Sequence, residues 1–207
     1  MIPCKPLAVR YLANAPILAK ALGAPEGYPC LGFLTADSDD PTYIALDAAT
    51  KAANVKVCYS ASFYAGAANA STPYAGEVLG VLCGPTPGEV RSGMEAALHT
   101  LESVGFRQTG QVPYLAHTVS STGSFLAAEA GVREGTAIAY LIAPPLESMT
   151  ALDGALKAAE VKLCKLYAPP SPTNFGGALL SGTQDACRAA CEAFAATIEE
   201  IARCPIE

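Results

Sequence analysis

Residues 45–58 read ALDAATKAANVKVC, and residues 151–164 read ALDGALKAAEVKLC, so that ten of fourteen positions are identical at a constant offset of 106. Farther along the chain, Arg91, Glu95 and Ala96 match Arg188, Glu192 and Ala193 at an offset of 97. The second copy is therefore about nine residues shorter between these two blocks. Because half of 207 residues is about one hundred, two tandem copies fill the chain, and we expect domains at 1–108 and 109–207.

The spacing of apolar residues predicts the same order of elements in both copies. In the first copy it predicts an extended segment at 6–12, strands at 31–35, 55–59 and 77–83, and helices from Asp40 to about residue 53 and from Pro87 onward. In the second copy it predicts strands at 112–119, 137–143, 161–167 and 178–181, and helices at 125–130, 146–159 and 184–203. This pattern favours two α/β units, each an open sheet with helices on one side.

Composition excludes several classes of protein. Hydrophobic residues make up 51% of the chain and charged residues only 15%, well below the roughly 25% of an average soluble domain. The deficit of charge predicts that much surface is buried against other subunits. A net charge of −6 without a basic cluster argues against nucleic-acid binding. The longest uncharged runs are rich in Ser, Asn, Pro and Gly, so we expect no membrane span, and no signal peptide is expected either.

Residues that could perform catalysis are scarce. The chain has two histidines, no Walker loop and no C-x-x-C motif, and we predict neither a catalytic site nor a cofactor. The eight cysteines are scattered, and we expect them to be reduced and largely buried. Cys187 and Cys191 share a predicted helix face with Phe194 and Ile198, which indicates core packing rather than a metal site. An enzyme of an unrecognised type is the weakest alternative.

One acidic group stands out, formed by Asp37, Asp39 and Asp40 with Glu77 farther along the chain. It has two interpretations: helix capping by solvated carboxylates, or a small anionic pocket for an organic cation. The second copy has Pro145 and Leu146 in place of Asp39 and Asp40, so the acidic group occurs once per chain.

Two uncharged loops, ASFYAGAANASTPY at 61–74 and YAPPSPTNFGG at 167–177, occupy equivalent places in the two copies. Loops of this kind can be disordered spacers, or they can line a passage and change conformation.

The repeated block A-L-D-x-A-x-K-A-A-x-V resembles the bacterial microcompartment shell domain. Segments such as LGFLTADSDDPTYIALDAATKAANV, GSFLAAEAGVREG and PTNFGGALLSGTQDACRAACEAF are similar to tandem-domain shell proteins of ethanolamine utilisation. The resemblance implies two circularly permuted domains, each an antiparallel sheet with helices on one side. It also implies a non-enzymatic homotrimer that imitates a hexamer, contacts other shell proteins edge to edge and carries a gated central pore. Its location would be the shell of a polyhedral organelle in the bacterial cytoplasm.

The same resemblance implies roles for individual residues. Lys51 and Lys157 would lie at the tile edge, where a lysine stem can rest along a neighbouring tile. The pore loops would present Phe63, Tyr64, Asn69, Asn174 and Phe175. A small amine such as ethanolamine would be bound by Asp39, Asp40, Glu77, Phe106, Ser181 and Gly182, with Phe106 adding a cation–π contact. Alternatives are a shell protein of a propanediol, choline or alcohol organelle, and an amine-sensing trimer that does not tile.

Overall fold

The computed structural model describes residues 1–63, 74, 76–169 and 171–206, and within these it contains ten strands and six helices. The strands are β1 (Ile2–Pro3), β2 (Pro6–Leu12), β3 (Cys30–Ala36), β4 (Lys56–Ser62), β5 (Val78–Gly84), β6 (Gly105–Thr109), β7 (Val112–Val119), β8 (Ala137–Ala143), β9 (Lys162–Tyr167) and β10 (Gly176–Gly182). The helices are α1 (Pro16–Ala21), α2 (Asp39–Ala52), α3 (Pro87–Leu101), α4 (Ser124–Ala130), α5 (Pro145–Ala158) and α6 (Gln184–Arg203).

The chain forms two compact units. The first unit consists of Pro3–Val104 together with the short segment Gly123–Leu126. The second unit consists of Met1–Ile2, Gly105–Thr122 and the chain from Ala127 onward.

The first unit contains a four-stranded antiparallel sheet in the order β2-β3-β5-β4. Helices α2 and α3 pack on one face of this sheet, where alternate strand residues such as Leu34 and Leu82 point toward them. Small residues on α2 allow the helices to approach closely. The buried core on this face includes Cys30, Leu34, Ala45, Leu46, Ala49, Leu82, Val90, Met94, Ala97 and Leu101.

The opposite face of the first sheet is covered in part by α1. Ala19 of this helix packs with Leu31, Val81 and Cys83, which alternate with the residues that face α2 and α3. Helix α1 was not predicted, since its six residues are too few to show a helical period.

The second unit repeats the strand order of the first. Strands β7-β8-β10-β9 correspond to β2-β3-β5-β4, and β6 and β1 extend the sheet beyond β7. Helices α5 and α6 pack on this sheet around Leu141, Leu180 and Phe194, with Cys187 and Cys191 in the same core. The predicted fold class, antiparallel sheets packed with helices, is confirmed.

Several predicted elements have the expected bounds. The strands Val112–Val119 and Ala137–Ala143 and the helix Gln184–Arg203 agree with the pattern residue for residue. Helix α6 begins at a capping threonine, because the Thr183 hydroxyl accepts a hydrogen bond from the Ala186 amide at 3.1 Å.

All eight cysteines are free thiols, and five of them are buried. Burial raises the pKa of the Cys191 thiol to about 11, and a hydrogen bond with Thr118 acts in the opposite direction. In the described part of the chain, none of the helices has the length and apolar character that crossing a membrane would require.

Candidate functional site

The acidic group lies where strands β3 and β5 meet in the first unit. The Glu77 amide donates to the Ala36 carbonyl at 2.9 Å, and the Lys5 amide donates to the Asp37 carboxylate at 2.7 Å. Gly76 makes this approach possible, because a Cβ at that position would lie 2.0 Å from the Ala36 carbonyl oxygen. The backbone therefore holds Asp37 and Glu77 beside the start of α2.

Asp39 and Asp40 are the first two residues of α2, and both are buried. The N-cap residue is Ser38, whose side chain makes no capping hydrogen bond, while the Asp39 carboxylate accepts from the Asp40 amide at 2.9 Å. Asp40 is therefore not the residue that caps the helix. Both carboxylates lie in the first turn, where the helix dipole favours negative charge.

The carboxylates influence one another. Burial raises the pKa of Glu77 above its ordinary value, and the nearby charges of Asp39 and Asp37 raise it further. The structure thus brings Asp37, Asp39 and Glu77 into one electrostatic group. Asp37 was not among the predicted ligand residues, although its place in the D-S-D-D run of the sequence was a usable signal. A small cation is the kind of ligand that would lower the free energy of such a group.

The second unit has no acid at the corresponding position. Glu77 of the first copy and Phe175 of the second occupy equivalent positions. Val78 lies opposite Ala36 in the first sheet, and Gly176 lies opposite Ala143 in the second, so the residues that precede Val78 and Gly176 correspond. The ring of Phe175 packs against Phe106 of β6, with centroids 5.6 Å apart and planes tilted by 56°. An aromatic pair therefore stands in the second copy where a carboxylate group stands in the first.

The other three predicted ligand residues also belong to the second unit. Phe106 is half-buried on β6, and Ser181 and Gly182 end β10. The Ser181 hydroxyl accepts a hydrogen bond from the Cys164 thiol at 3.0 Å, and a Cβ on Gly182 would lie 3.0 Å from the Glu160 carbonyl oxygen.

The predicted pore residues are described only in part. Tyr64 and Asn69 fall outside the described residues. Phe63 is exposed, and its amide donates to the Glu77 carbonyl at 2.9 Å. Asn174 is exposed with a left-handed φ of 62°, a conformation that asparagine tolerates, and its amide donates to the Ser171 carbonyl at 3.1 Å. The Phe175 amide donates to the Ser171 hydroxyl at 3.1 Å.

The two predicted edge lysines differ in their surroundings. Lys51 lies 3.4 Å from the Asp47 carboxylate, which is completely buried. Lys157 lies 2.6 Å from the Asp153 carboxylate, and this pair is exposed. Both pairs have the i, i+4 spacing that places them on one helix face.

Asp47 has a structural role that was not predicted from the sequence. Its carboxylate accepts hydrogen bonds from the amides of Gly123 at 2.7 Å and Leu126 at 2.8 Å, where α4 begins. The Thr50 hydroxyl accepts from the Ser124 amide at 3.1 Å, and Phe125 packs against Tyr43 with ring centroids 5.9 Å apart. Together these contacts hold the segment Gly123–Leu126 on α2. The repeated aspartate in the A-L-D block was the signal available in the sequence.

Residues with catalytic chemistry are sparse in the described regions. Over 1–63, 74, 76–169 and 171–206, no three His, Cys, Asp or Glu side chains are grouped closely enough to hold a metal ion. His99 lies on the solvated face of α3, where it pairs with Glu102 at 3.1 Å.

Comparison with known proteins identifies the family. The BMC domain model matches residues 30–113, beginning at β3. A "Bacterial microcompartment shell protein EutL" from Clostridium perfringens is 54% identical over 97% of this chain and 94% of its own length. The Escherichia coli protein of the same name is 47% identical over the same shares of the two chains. The chain belongs to the EutL family of bacterial microcompartment shell proteins.

A solved member of the EutL family has the same fold. The crystal structure of "ethanolamine utilization protein EutL" from Leptotrichia buccalis superposes with a TM-score of 0.96 at 52% identity, covering 100% of this chain and 97% of that one. These findings confirm the resemblance, place the chain in a microcompartment shell and confirm a structural rather than enzymatic role.

Proposed function

We propose that this EutL-family chain forms homotrimers that tile the shell edge to edge around a gated central pore, and that it binds ethanolamine. Two domains, 1–108 and 109–207, in each of three chains would present six similar edges, as a tile requires. Asp39, Asp40 and Glu77 would hold the ammonium group, and Phe106, Ser181 and Gly182 would complete the site. Phe63, Tyr64, Asn69, Asn174 and Phe175 would belong to the pore loops.

The observation that carries the ligand proposal is the group of carboxylates at the start of α2. Asp39 is buried, and the pKa of Glu77 is raised by burial and by the charges of Asp39 and Asp37. Buried carboxylates in mutual repulsion are stabilised by a cation that can donate hydrogen bonds to them. Ethanolamine has an ammonium group of this kind, and the relative from Leptotrichia buccalis is named as an ethanolamine utilization protein.

Calorimetric titration with ethanolamine tests the site. We expect saturable binding by the parent protein and at least a tenfold loss of affinity in Asp39→Asn and Glu77→Gln. Asp185→Asn is the matched control, because it removes an exposed carboxylate from the first turn of a helix in the other copy. Ethylene glycol, which replaces the ammonium with a neutral hydroxyl, should not bind. Equal affinity in the parent and in Asp39→Asn would refute the role of the acidic group.

The tiling role has a separate test. Lys51 and Lys157 would contact neighbouring tiles, and replacing both with alanine should abolish two-dimensional sheets seen by electron microscopy. Ethanolamine binding should persist in that double variant. Lys5→Ala serves as a control, since this lysine lies outside the repeated block. A parent protein that binds the amine but never forms sheets would favour a sensing trimer instead.

A further inference from the structure

Two cysteine side chains on neighbouring strands of the first sheet lie on the same face of that sheet. Cys83 of β5 is fully buried with Leu31 and Val81 on the face that α1 covers in part. Leu82, the next residue along β5, points to the opposite face, as the alternation of a strand requires. Cys58 of β4 is half-buried and packs against the cluster that contains Cys83. The two thiols therefore belong to one apolar layer.

A β-bulge in β4 brings the Cys58 thiol onto β5. The pairing of β4 with β5 shifts by one residue at this point, so Cys58 is the extra residue between two paired neighbours. Its thiol donates a hydrogen bond to the Val81 carbonyl at 3.5 Å. The sulfur therefore lies against β5, two residues before Cys83.

The second copy has the same contact, with an oxygen in place of one sulfur. Cys164 is the counterpart of Cys58 at the offset of 106, and it is likewise the extra residue of a bulge, in β9. Ser181 is the counterpart of Cys83, because each is the next-to-last residue of its strand in the same register. The Cys164 thiol donates to the Ser181 hydroxyl at 3.0 Å. The duplicated backbone thus brings these two positions together, and only the first copy has a thiol at both.

A hydrogen bond joins the two thiols of the first copy. It raises the pKa of Cys58, which burial raises further, and it lowers the pKa of Cys83. The charge of Lys56, which lies opposite Cys83 in the strand register, also lowers the Cys83 pKa. The thiolate form of the pair is therefore centred on Cys83, with the Cys58 thiol as its donor. Because the thiolate is the attacking form of cysteine, Cys83 is placed to attack a sulfur atom at Cys58.

We propose that Cys58 and Cys83 form a redox-sensitive dithiol that reacts with small-molecule disulfides and closes to a disulfide bond between β4 and β5. Cys58, the more accessible thiol, attacks one sulfur of the small disulfide, and its proton leaves with the first small thiol. Cys83 then attacks the Cys58 sulfur, and the second small thiol leaves with the Cys83 proton. The small disulfide is reduced by two electrons to two thiols, and the cysteine pair is oxidised.

The positions of the two side chains favour this bond over a stable adduct with the small thiol. Side chains that already contact each other need only rotate about their χ1 angles to bring the sulfurs to about 2.05 Å, the length of a disulfide bond. The second copy cannot complete the reaction, because the hydroxyl of Ser181 stands where Cys83 stands in the first copy. An adduct formed on Cys164 would therefore lack the attacking thiolate that Cys83 supplies to Cys58.

Mass spectrometry after treatment with glutathione disulfide tests the proposal. Trypsin cleaves after Lys56 and Arg91 and at no residue between them, so both cysteines fall in the peptide 57–91. The reduced parent is incubated with glutathione disulfide, and its remaining thiols are alkylated in denaturant before digestion. We expect the peptide to be lighter by two hydrogen atoms and to lack both alkyl groups, and dithiothreitol should restore both alkylation sites. Glutathione on the exposed Cys204 shows that the reagent is active.

Serine variants distinguish the pair from a single reactive thiol. In Cys83→Ser we expect glutathione to stay on Cys58, since this variant has the thiol and hydroxyl of the second copy. In Cys58→Ser we expect Cys83 to stay unmodified, because it is fully buried. Cys164→Ser is the matched control at the equivalent position and should form the same disulfide as the parent. Circular dichroism must show parent-like helix content in all three variants.

Two outcomes overturn the proposal. One is a parent peptide 57–91 that takes up two alkyl groups although Cys204 carries glutathione. The other is a parent that retains glutathione on Cys58 as stably as Cys83→Ser does. Neither outcome bears on the homotrimer or on ethanolamine binding, because Cys58 and Cys83 are not among the proposed ligand, pore or edge residues.

Discussion

Asp47 with Lys51 and Asp153 with Lys157 occupy the same positions of the repeated block, yet their surroundings are opposite. The Asp47 side chain is fully buried and accepts two backbone hydrogen bonds, whereas the Asp153 side chain is 65% exposed. The sequences of the two helices do not explain this difference, since the aspartate and the lysine are identical. The covering segment, Gly123–Leu126, accounts for it, because the chain supplies that segment only to the first copy.

The largest effect should come from Leu126 in the covering segment. Leu126→Ala removes a fully buried side chain and should lower the free energy of unfolding by about 2–5 kcal/mol. Leu18 of α1 is its counterpart, because Gly23 and Ala24 donate to Lys20 and Ala19 as Gly131 and Val132 donate to Ala128 and Ala127. Leu18→Ala should cost less than about 1 kcal/mol, since Leu18 is exposed. Urea denaturation of each variant beside the parent measures both losses. Equal losses of unfolding free energy would show that Leu126 and Leu18 are equally buried in their two copies.

The carboxylates themselves should show the next largest difference. Asp47→Ala leaves the Gly123 and Leu126 amides without an acceptor and should cost about 2–4 kcal/mol in the same urea assay. Asp153→Ala breaks only an exposed ion pair and should cost less than about 0.5 kcal/mol. Equal losses in the two variants would contradict this difference.

A smaller effect is expected at Gly123. Its Cβ would lie 2.2 Å from the Thr50 hydroxyl and 2.6 Å from the Asp47 carbonyl oxygen, so Gly123→Ala should cost about 1–3 kcal/mol through overpacking. Gly88→Ala is the control, because the nearest atom to its Cβ would be 3.8 Å away. Thermal unfolding of the two variants compares them directly. A parent-like midpoint for Gly123→Ala would mean that the covering segment can shift without loss.

The smallest effect concerns pH and is confined to the first copy. The pKa of Glu77 is raised in the folded chain by burial and by Asp39 and Asp37, so the folded state binds this proton more tightly than the unfolded state does. The resulting stability is fully present below the unfolded pKa and is lost as the pH rises through the folded pKa. Between the unfolded-state and the folded-state pKa of Glu77, the thermal unfolding midpoint of the parent should decline as the pH rises. The midpoint of Glu77→Gln should change less over the same pH range. A Phe175→Leu variant of the second copy should show the same dependence of the unfolding midpoint on pH as the parent.

The fold was largely predictable because a duplicated pattern supplies the same evidence twice. Strands β7 and β8 and helix α6 follow periodicity without error, and the shared A-L-D block establishes that α2 and α5 are equivalent. Helix α1 and strand β6 were not predicted. The first has too few residues to show a period, and the second has only five residues without a strict alternation of buried and exposed positions.

The candidate site was predictable only as a set of residue types. The D-S-D-D run indicates an anionic group, but the raised pKa of Glu77 depends on burial and on neighbours that are distant in sequence. The predicted start of α2 at Asp40 was one residue late, because the helix begins at Asp39 after the N-cap residue Ser38. The ligand, pore and edge roles of the named residues stay predictions.

The sequence by itself determined the duplication, the order of strands and helices in each copy and the membership in a shell-protein family, because these follow from local periodicity and residue identity. Only the tertiary structure decided which of two identical aspartates is buried. Burial depends on what covers a residue, and here the cover of Asp47 comes from a segment about 76 residues away in the chain.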